Sequence, residues 1–251
     1  MKAVITGASS GIGRDMARVL AYKGWQVFLV ARNTEKMLEL QTEIGNNAKC
    51  IRCDVSNKDE CESLYQILSG EQVDMLVNCA GFGLCGHFIT TDLDTELNMI
   101  DTNIKAVHIL TKLFLKDFQK RNHGYILNVA SIAGFMPGPM MSTYYASKNY
   151  VVSLTEAIYT ELKKQHSHVK ISVFCPGPVN TNFNQVADVK FAIKGIDSRY
   201  AAQYAIEKAL KGKTVIIPTL KIKLTRFGVR LLPDKAVSAI CYHVQHRKKY
   251  H

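Results

Sequence analysis

The sequence Thr6-Gly7-Ala8-Ser9-Ser10-Gly11-Ile12-Gly13 stands between a short apolar run, Lys2–Thr6, and an amphipathic helical stretch, Ile12–Lys23. Glycines in such a turn let the backbone approach a pyrophosphate, whose charge is stabilised at the helix N-terminus. The spacing is G-x-x-x-G-x-G, and its position between the first strand and the first helix favours nucleotide binding. The turn residues predicted to bind a cofactor are Gly7, Ser9, Ser10, Gly11, Ile12 and Gly13.

Short apolar runs and helical stretches alternate through the first two thirds of the chain. The predicted strands are Lys2–Thr6, Gln26–Ala31, Lys49–Cys53, Val73–Asn78, Tyr125–Ala130, Lys170–Phe174 and Thr214–Ile217. The predicted helices are Ile12–Lys23, Thr34–Ile44, Lys58–Leu68, Thr95–Gln119, Tyr144–Gln165 and Arg199–Lys211. Strict alternation implies right-handed crossovers, so we expect an α/β fold: a Rossmann-like doubly wound parallel sheet of about seven strands, with helices on both faces.

Composition limits the class of protein. The 251 residues, 47% of them apolar, suit one large globular domain. No apolar run approaches the roughly 18 residues that span a bilayer, and seven cysteines, an odd number, indicate a reducing, cytoplasmic location. Cys50 and Cys53 are spaced C-x-x-C, but on a strand they point to opposite faces, and no metal site is predicted.

Residues at the ends of later predicted strands extend the cofactor site. Arg32 ends the second strand, about 20 residues past the turn, where an acid would bind the ribose 2′-hydroxyl of NAD; a guanidinium there favours the 2′-phosphate of NADP. Asp54-Val55 follows the third strand and is placed to meet the adenine, although Asp54 is also a candidate helix N-cap. The fourth strand ends at Asn78-Cys79-Ala80-Gly81, where small residues would let the chain pass close to the cofactor.

A second group of residues has the chemistry of proton transfer. Tyr144 and Lys148 lie at i, i+4 on one face of a predicted helix, Ser131 ends the fifth strand at the ligand-binding edge, and Asn103 lies on the preceding long helix. A phenol with a pKa near 10 is a poor base at pH 7, so the Lys148 ammonium, together with an oxidised nicotinamide, is expected to lower the pKa of Tyr144. Tyr145, at i, i+3 to Lys148, is an alternative acid.

Taken together, these stretches resemble the short-chain dehydrogenases/reductases of the single-domain Tyr-x-x-x-Lys type. The resemblance covers residue 1 to about 217. Its matching segments are Thr6–Gly13, Asp54, Asn78–Gly81, Asn103, Ser131, Tyr144-x-x-x-Lys148 and Pro176-Gly177-Pro178-Val179-Asn180-Thr181. Two positions depart from the pattern: Cys79, where the family more often has Asn, and Ser10, where members that use NADP carry a second basic residue.

The resemblance implies an NADP(H)-dependent oxidoreductase that interconverts a carbonyl and an alcohol. Tyr144 would protonate the substrate oxygen as hydride arrives from the nicotinamide, and Ser131 would hydrogen-bond to that oxygen. Lys148 would also hold the nicotinamide ribose, and Asn103 a water that connects Lys148 to solvent. Thr181 and the backbone of Val179 would hold the nicotinamide carboxamide, and Pro176 and Gly177 would also bind the cofactor.

The resemblance also implies a homodimer or homotetramer, formed through the long helices Thr95–Gln119 and Tyr144–Gln165. Two alternatives to a ketone reductase are open: a 3-oxoacyl reductase of lipid metabolism, and a non-catalytic regulatory protein that only binds the cofactor.

The predicted substrate walls are apolar and rich in methionine. They come from Phe82–Cys85, Ile132–Pro137, Met140-Met141 and Phe183 onward. Such walls favour a hydrophobic carbonyl or alcohol over a sugar. Asn182–Ser198 is predicted to be a lid that closes over the substrate.

The formal charge of +11 is concentrated near the C-terminus. Residues 208–251 hold eleven lysines and arginines against one acid, Asp234, whereas the other 207 residues are nearly neutral. We therefore divide the chain into a catalytic domain, 1–217, and a basic amphipathic helical extension, 218–251. The extension carries two apolar stripes separated by Pro233: Leu220, Leu224, Phe227 and Leu231, then Val237, Ile240, Cys241 and Val244.

Three interpretations of the extension are open. The stripes would pack on the domain or on a neighbouring subunit, or they would lie on an anionic membrane surface, which would make the enzyme peripheral to a membrane. Nucleic acid is the least favoured partner, because no recognition motif is present.

Overall fold

A computed structural model describes residues 1–181, 183, 187 and 195–250, with backbone only for 247–250. Most of the predicted lid, Asn182–Ser198, lies outside the described residues.

Within the described residues, seven parallel strands form one sheet, in the order β3-β2-β1-β4-β5-β6-β7. Their bounds are β1 Lys2–Thr6, β2 Gln26–Ala31, β3 Ala48–Arg52, β4 Met75–Asn78, β5 Tyr125–Val129, β6 Lys170–Phe174 and β7 Val215–Ile216. Buried β-branched and apolar residues dominate them, as expected of strands covered on both faces. The strand order reverses between β1 and β4, which is the switch point where such sheets bind ligands. The predicted doubly wound fold is confirmed.

The helices lie close to their predicted positions. Their bounds are α1 Gly11–Tyr22, α2 Thr34–Ile44, α3 Lys58–Leu68, α4 Leu93–Ile100, α5 Ala106–Arg121, α6 Ser142–Lys164, α7 Ser198–Leu210, α8 Leu220–Leu231 and α9 Asp234–Tyr250. The helix predicted over 95–119 is divided by a π-helical turn, Asp101–Lys105, which contains Asn103. Such wide turns are frequent at functional sites. No helix among the described residues is long and apolar enough to cross a membrane.

Side-chain caps explain where several helices begin. Asn33 caps α2 by accepting a hydrogen bond from the Lys36 amide at 2.9 Å, and Asn57 caps α3 by accepting from the Asp59 amide at 2.8 Å. The alternative prediction that Asp54 caps a helix is therefore wrong, because Asn57 occupies that position.

The core is divided by the sheet. One cluster lies under α1 and α7 and includes Met16 and Leu20. The other lies under α3 and α5 and includes Phe114 and Phe118. Cys50 packs against the first cluster and Cys53 belongs to the second, so the prediction that they face opposite ways is confirmed. No group of three potential metal-ligating side chains occurs in the described part of the chain.

Helices α8 and α9 pack on the part of the chain that carries the sheet, but not through the first predicted stripe. Val237 and Cys241 of α9 are buried against Met136. By contrast, the α8 residues Leu220, Leu224, Phe227 and Leu231 are 62% to 70% exposed. Helix α8 instead turns Ile222 and Val229 towards the domain.

Arg226 also fixes α8 in place. Its guanidinium lies 4.5 Å from the centre of the Phe135 ring and 3.2 Å from a carboxylate oxygen of Glu156 on α6. A cation over an aromatic face and a partly buried ion pair both stabilise this contact.

Candidate active site

A cavity of about 950 Å³ lies at the carboxyl ends of the strands, where the sequence places the cofactor and the substrate. The glycine-rich turn, Arg32 and Asp54 line one part of it. Ser131, Tyr144 and Lys148 line another part, and side chains of α8 and α9 line a third. One continuous space therefore connects the predicted cofactor turn with the predicted proton-transfer groups.

The turn after β1 is shaped so that only glycine fits at key positions. Gly7 and Gly11 have φ angles of +70° and +52°, which favour glycine. A Cβ on Gly13 would lie 2.4 Å from the carbonyl oxygen of Gly7. Thr6 Oγ1 accepts hydrogen bonds from the amides of Cys79 at 3.0 Å and Ala80 at 3.1 Å. These bonds hold the ends of β1 and β4 together and leave the turn open towards the cavity.

Arg32 and Asp54 face each other across the ends of β2 and β3. Arg32 Nη1 lies 3.8 Å from Asp54 Oδ2, and the Arg32 side chain is 66% exposed. Burial alone would raise the pKa of Asp54, but hydrogen bonds from Ser56 and the charge of Arg32 outweigh it and lower that pKa. Asp54 is therefore an ionised acceptor beside an accessible guanidinium.

Three further cations near the turn were not singled out from the sequence. Arg14, Lys36 and the Arg18–Asp15 ion pair line a smaller pocket of about 220 Å³, which shares Ser9 and Ser10 with the large cavity. The Nε atom of Arg14 is buried without a hydrogen-bond partner. No local pattern indicates these cations, because they come from two helices that meet only in the folded chain.

Asn78 lies off the cavity wall. Its side-chain nitrogen donates to Thr111 Oγ1 at 3.1 Å and to Asn128 Oδ1 at 2.9 Å inside the core. The prediction that Asn78 binds the cofactor is therefore not met by its side chain. The other cofactor residues predicted from the sequence line the cavity: Gly7, Ser9, Ser10, Gly11, Ile12, Gly13, Arg32, Asp54, Val55, Ala80, Gly81, Tyr144, Lys148, Pro176, Gly177, Val179 and Thr181.

Tyr144, Lys148 and Ser131 come together as the spacing predicts. Lys148 Nζ lies 5.7 Å from the centre of the Tyr144 ring and donates a hydrogen bond to the Val129 carbonyl oxygen at 3.1 Å. The Ser131 hydroxyl is close enough to the Tyr144 phenol to lower its pKa. All three side chains line the cavity, so their polar atoms can meet a bound molecule.

Burial controls the protonation of this group. It raises the pKa of Tyr144 to about 12, against the lowering effect of the Ser131 hydrogen bond. It lowers the pKa of Lys148 to about 8. The predicted lowering of the Tyr144 pKa is wrong for the protein chain by itself, because desolvation of the phenolate outweighs every favourable contact that the chain supplies. At neutral pH Tyr144 is therefore a neutral proton donor beside a charged lysine.

Asn103 lies below the cavity rather than on its wall. Its Nδ2 donates to the Phe82 carbonyl at 2.9 Å and to Ser147 Oγ at 3.1 Å, and its Oδ1 accepts from the Phe82 amide at 3.1 Å. Ser147 Oγ in turn donates to the Tyr144 carbonyl at 2.7 Å. Asn103 thus joins the segment after β4 to α6. Asn103 Oδ1 and Lys148 Nζ both lie close to Gly81, so the two side chains approach the same point of the chain.

Tyr145 points to a different part of the cavity from Tyr144. Its hydroxyl accepts a hydrogen bond from Gln245 Nε2 of α9 at 2.6 Å. By contrast, the Ser131 hydroxyl acts on the pKa of Tyr144, and Lys148 lies beside the Tyr144 ring. Of the two tyrosines considered from the sequence, the geometry favours Tyr144 as the proton donor.

The remaining walls are apolar. The Phe183 ring lies 5.5 Å from the Tyr144 ring, and Phe82, Met136 and Met141 also line the cavity. The C-terminal helices add residues that were not predicted to do so: Ile222, Thr225, Gly228, Val229, Leu232, Val237, Ile240, Cys241, Val244 and Gln245. Ile222 and Val229 are two turns apart on one face of α8, and this spacing could have indicated that α8 turns that face towards the cavity.

Comparison with known proteins agrees with the fold and the motifs. Residues 1–190 match the family model for short chain dehydrogenases. An uncharacterized oxidoreductase of Staphylococcus saprophyticus is 34% identical over 210 residues, which cover 81% of this chain and 88% of that protein. The 17-beta-hydroxysteroid dehydrogenase type 3 of Homo sapiens is 34% identical over 202 residues, which cover 78% of this chain and 64% of that enzyme.

Solved structures extend the likeness to nearly the whole chain. A short-chain dehydrogenase/reductase from Burkholderia phymatum in complex with NAD superposes with a TM-score of 0.82 at 26% identity, covering 92% of each chain. A short-chain dehydrogenase from Sphingobium yanoikuyae in complex with NADPH superposes with a TM-score of 0.80 at 24% identity, covering 94% of this chain and 97% of that one. A nicotinamide dinucleotide is therefore the cofactor class supported here. The chain belongs to the short-chain dehydrogenase/reductase family of oxidoreductases.

Proposed function

We propose that this oxidoreductase uses NADP(H) to interconvert a carbonyl and an alcohol on a hydrophobic small molecule. One observation carries the proposal: Ser131, Tyr144 and Lys148 share an apolar cavity with the glycine-rich turn. A proton donor and a dinucleotide cradle in one space are what a carbonyl reductase needs.

The residues present fit a dinucleotide. Because a Cβ on Gly13 would collide with the Gly7 carbonyl, only glycine allows this tight turn at the start of α1, where a pyrophosphate would bind. Asp54 and Val55 would border the adenine, Ala80 and Gly81 would pass under the cofactor, and Lys148 would hold the nicotinamide ribose. When bound, the cofactor supplies or accepts the hydride. The segment Pro176–Thr181 would hold the carboxamide end.

The preference for NADP(H) rests on positive charge near the adenosine end. Arg32 lies at the end of β2, where an acidic residue would favour NAD. Its exposed guanidinium is available to a 2′-phosphate, and Arg14 and Lys36 add positive charge beside Ser9 and Ser10. Such charge-assisted contacts to phosphate are strong and geometrically specific.

The chain's own groups suit reduction at neutral pH. Because the pKa of Tyr144 is about 12, its phenol keeps its proton and can donate it to a carbonyl oxygen. The Ser131 hydroxyl would hydrogen-bond to the same oxygen and orient it. Lys148, with a pKa of about 8, keeps a positive charge near the developing phenolate. These groups would hold the substrate oxygen and supply the proton that it needs.

The apolar walls favour a bulky hydrophobic substrate. Phe82, Met136, Met141 and Phe183 border the proton donor, and the inner faces of α8 and α9 continue the apolar surface. The similarity to a hydroxysteroid dehydrogenase supports a steroid-like or aromatic ketone. A 3-oxoacyl group is the alternative substrate.

We also propose a cytoplasmic homo-oligomer. The odd number of cysteines, seven, supports a reducing compartment. The exposed apolar residues Leu97, Ile100 and Tyr159 lie on the helices that the family resemblance assigns to subunit contacts.

A substrate screen tests the proposed function. The purified chain would be assayed by NADPH absorbance against steroid, aromatic and aliphatic ketones, 3-oxoacyl thioesters and keto-sugars, with NADH in parallel. We expect turnover with hydrophobic ketones and a higher kcat/KM with NADPH than with NADH, because the walls are apolar and Arg32 is accessible. Turnover confined to sugars, or no NADPH oxidation with any carbonyl, would contradict the proposal. Turnover confined to thioesters would select the 3-oxoacyl alternative.

An Arg32→Ser variant tests the cofactor preference. Loss of a charge-assisted phosphate contact should raise KM for NADPH by about 10- to 100-fold and leave KM for NADH nearly unchanged. The matched control is Arg52→Ser, since the Arg52 side chain is equally exposed and lies on the adjacent strand. Equal losses with both cofactors, or a similar loss in the control, would mean that Arg32 does not recognise the 2′-phosphate.

A further inference from the structure

Helix α8 has two apolar faces, and only one is covered. Because an α-helix turns about 100° per residue, Ile222 and Val229 lie on one side and the residues Leu220, Leu224, Phe227 and Leu231 on the opposite side. The inner side lines the cavity. The outer side, which we call the outer stripe, consists of those four residues, and each is at least 62% exposed. Four large apolar side chains in a row exceed what a solvated helix face usually exposes, and they indicate a partner.

The charges beside the outer stripe identify the chemistry of that partner. Lys221, Lys223 and Arg230 flank the stripe on the same helix, and all three are exposed. Residues 208–251 contain Asp234 as their single acid. A band of apolar residues bordered by basic ones is the pattern of a helix that lies in the interface of an anionic lipid surface. A second copy of the chain would instead bring another strongly basic segment against this one.

The outer stripe also reaches the rim of the cavity. Leu231 ends the stripe, and the next residue, Leu232, lines the cavity and is 46% exposed. Ile240 and Val244 of α9 are likewise both cavity-lining and exposed. The uncovered apolar surface of α8 is thus continuous along the chain with the wall of the cavity.

We propose that the outer stripe docks this protein on an anionic membrane surface. Leu220, Leu224, Phe227 and Leu231 enter the interface between headgroups and acyl chains, and the flanking lysines and arginine contact the lipid phosphates. As a consequence that rests on the proposed function, a hydrophobic substrate dissolved in the lipid reaches the cavity past Leu232 without crossing water.

Vesicle flotation of the full chain tests the docking. Vesicles of phosphatidylcholine would be compared with vesicles that also contain phosphatidylglycerol, and salt would be varied. We expect at least about tenfold more protein to float with the anionic vesicles, and high salt to reduce that fraction. The double variant Leu224→Glu/Phe227→Glu should float about tenfold less than the wild type. Lys221→Glu/Lys223→Glu should lose the preference for anionic lipid.

The matched control is Tyr22→Glu/Ile67→Glu, which places the same charges on two exposed apolar residues of α1 and α3. It should float like the wild type. NADPH turnover of a water-soluble ketone without vesicles should be unchanged in the stripe variant, since neither residue lines the cavity. Light scattering would measure the oligomeric state of the wild type and of the stripe variant. The proposal would be overturned if the wild type did not float, or if the stripe variant floated at the wild-type level. It would also be overturned if that variant dissociated an oligomer without any lipid binding.

Discussion

Tyr144→Phe is expected to lower kcat for carbonyl reduction by about 10²- to 10⁴-fold while leaving the Kd for NADPH within about twofold of the wild type. The substitution removes the hydroxyl that faces Ser131 in the cavity, and it keeps the ring that packs against Phe183. The fold and the cofactor cradle should therefore persist without the proton donor. Single-turnover kinetics and NADPH fluorescence titration would separate the two effects.

Tyr145→Phe is the matched control for that variant. Tyr145 is adjacent in sequence and partly buried, but its hydroxyl is hydrogen-bonded to Gln245 on α9. We expect this variant to keep turnover within about tenfold of the wild type, because it loses only a neutral hydrogen bond. Near-normal turnover in Tyr144→Phe together with a large loss in Tyr145→Phe would reverse the assignment of the proton donor.

Gly13→Ala is expected to weaken NADPH binding by more than about 100-fold, because a Cβ at that position would lie 2.4 Å from the Gly7 carbonyl oxygen. The contact is with backbone, so the turn must move and the cradle for the pyrophosphate opens. Overpacking of this kind costs about 1–3 kcal/mol of folding free energy. Isothermal titration with NADPH and a thermal melt would measure both changes.

Gly70→Ala is the control for Gly13→Ala. A Cβ on Gly70 would meet no heavy atom within 4 Å. We expect this variant to bind NADPH like the wild type and to melt at nearly the same temperature. Normal NADPH affinity in Gly13→Ala would show that the turn does not form the pyrophosphate cradle.

Much of the fold follows from local signals. The bounds of β1, β2, β6, α2 and α3 agree with the predicted ones, because β-branched runs and capped amphipathic helices are encoded within a few residues. The π-helical turn at Asp101–Lys105 was not predicted, since the apolar periodicity continues through it. Asn103 is held there by Phe82 and Ser147, which come from distant parts of the sequence.

Some features of the candidate site also follow from local spacing, and others depend on the folded structure. Tyr144 and Lys148 share one helix face by spacing alone, so their proximity was predictable. Their pKa values were not, because the burial that raises one and lowers the other comes from the whole cavity wall. Asn78 was expected beside the cofactor, yet its side chain is directed into the core by Thr111 and Asn128, which only the folded sheet brings near.

The sequence by itself determined the doubly wound sheet, the glycine-rich turn and the Ser131, Tyr144 and Lys148 group, because each depends on periodicity or spacing within one or two elements. Only the tertiary structure decided which face of α8 meets the domain. Both faces are apolar, so periodicity could not choose between them. Ile222 and Val229 pack against residues of the sheet and of the segment after β5, and this packing leaves the outer stripe exposed beside the basic side chains.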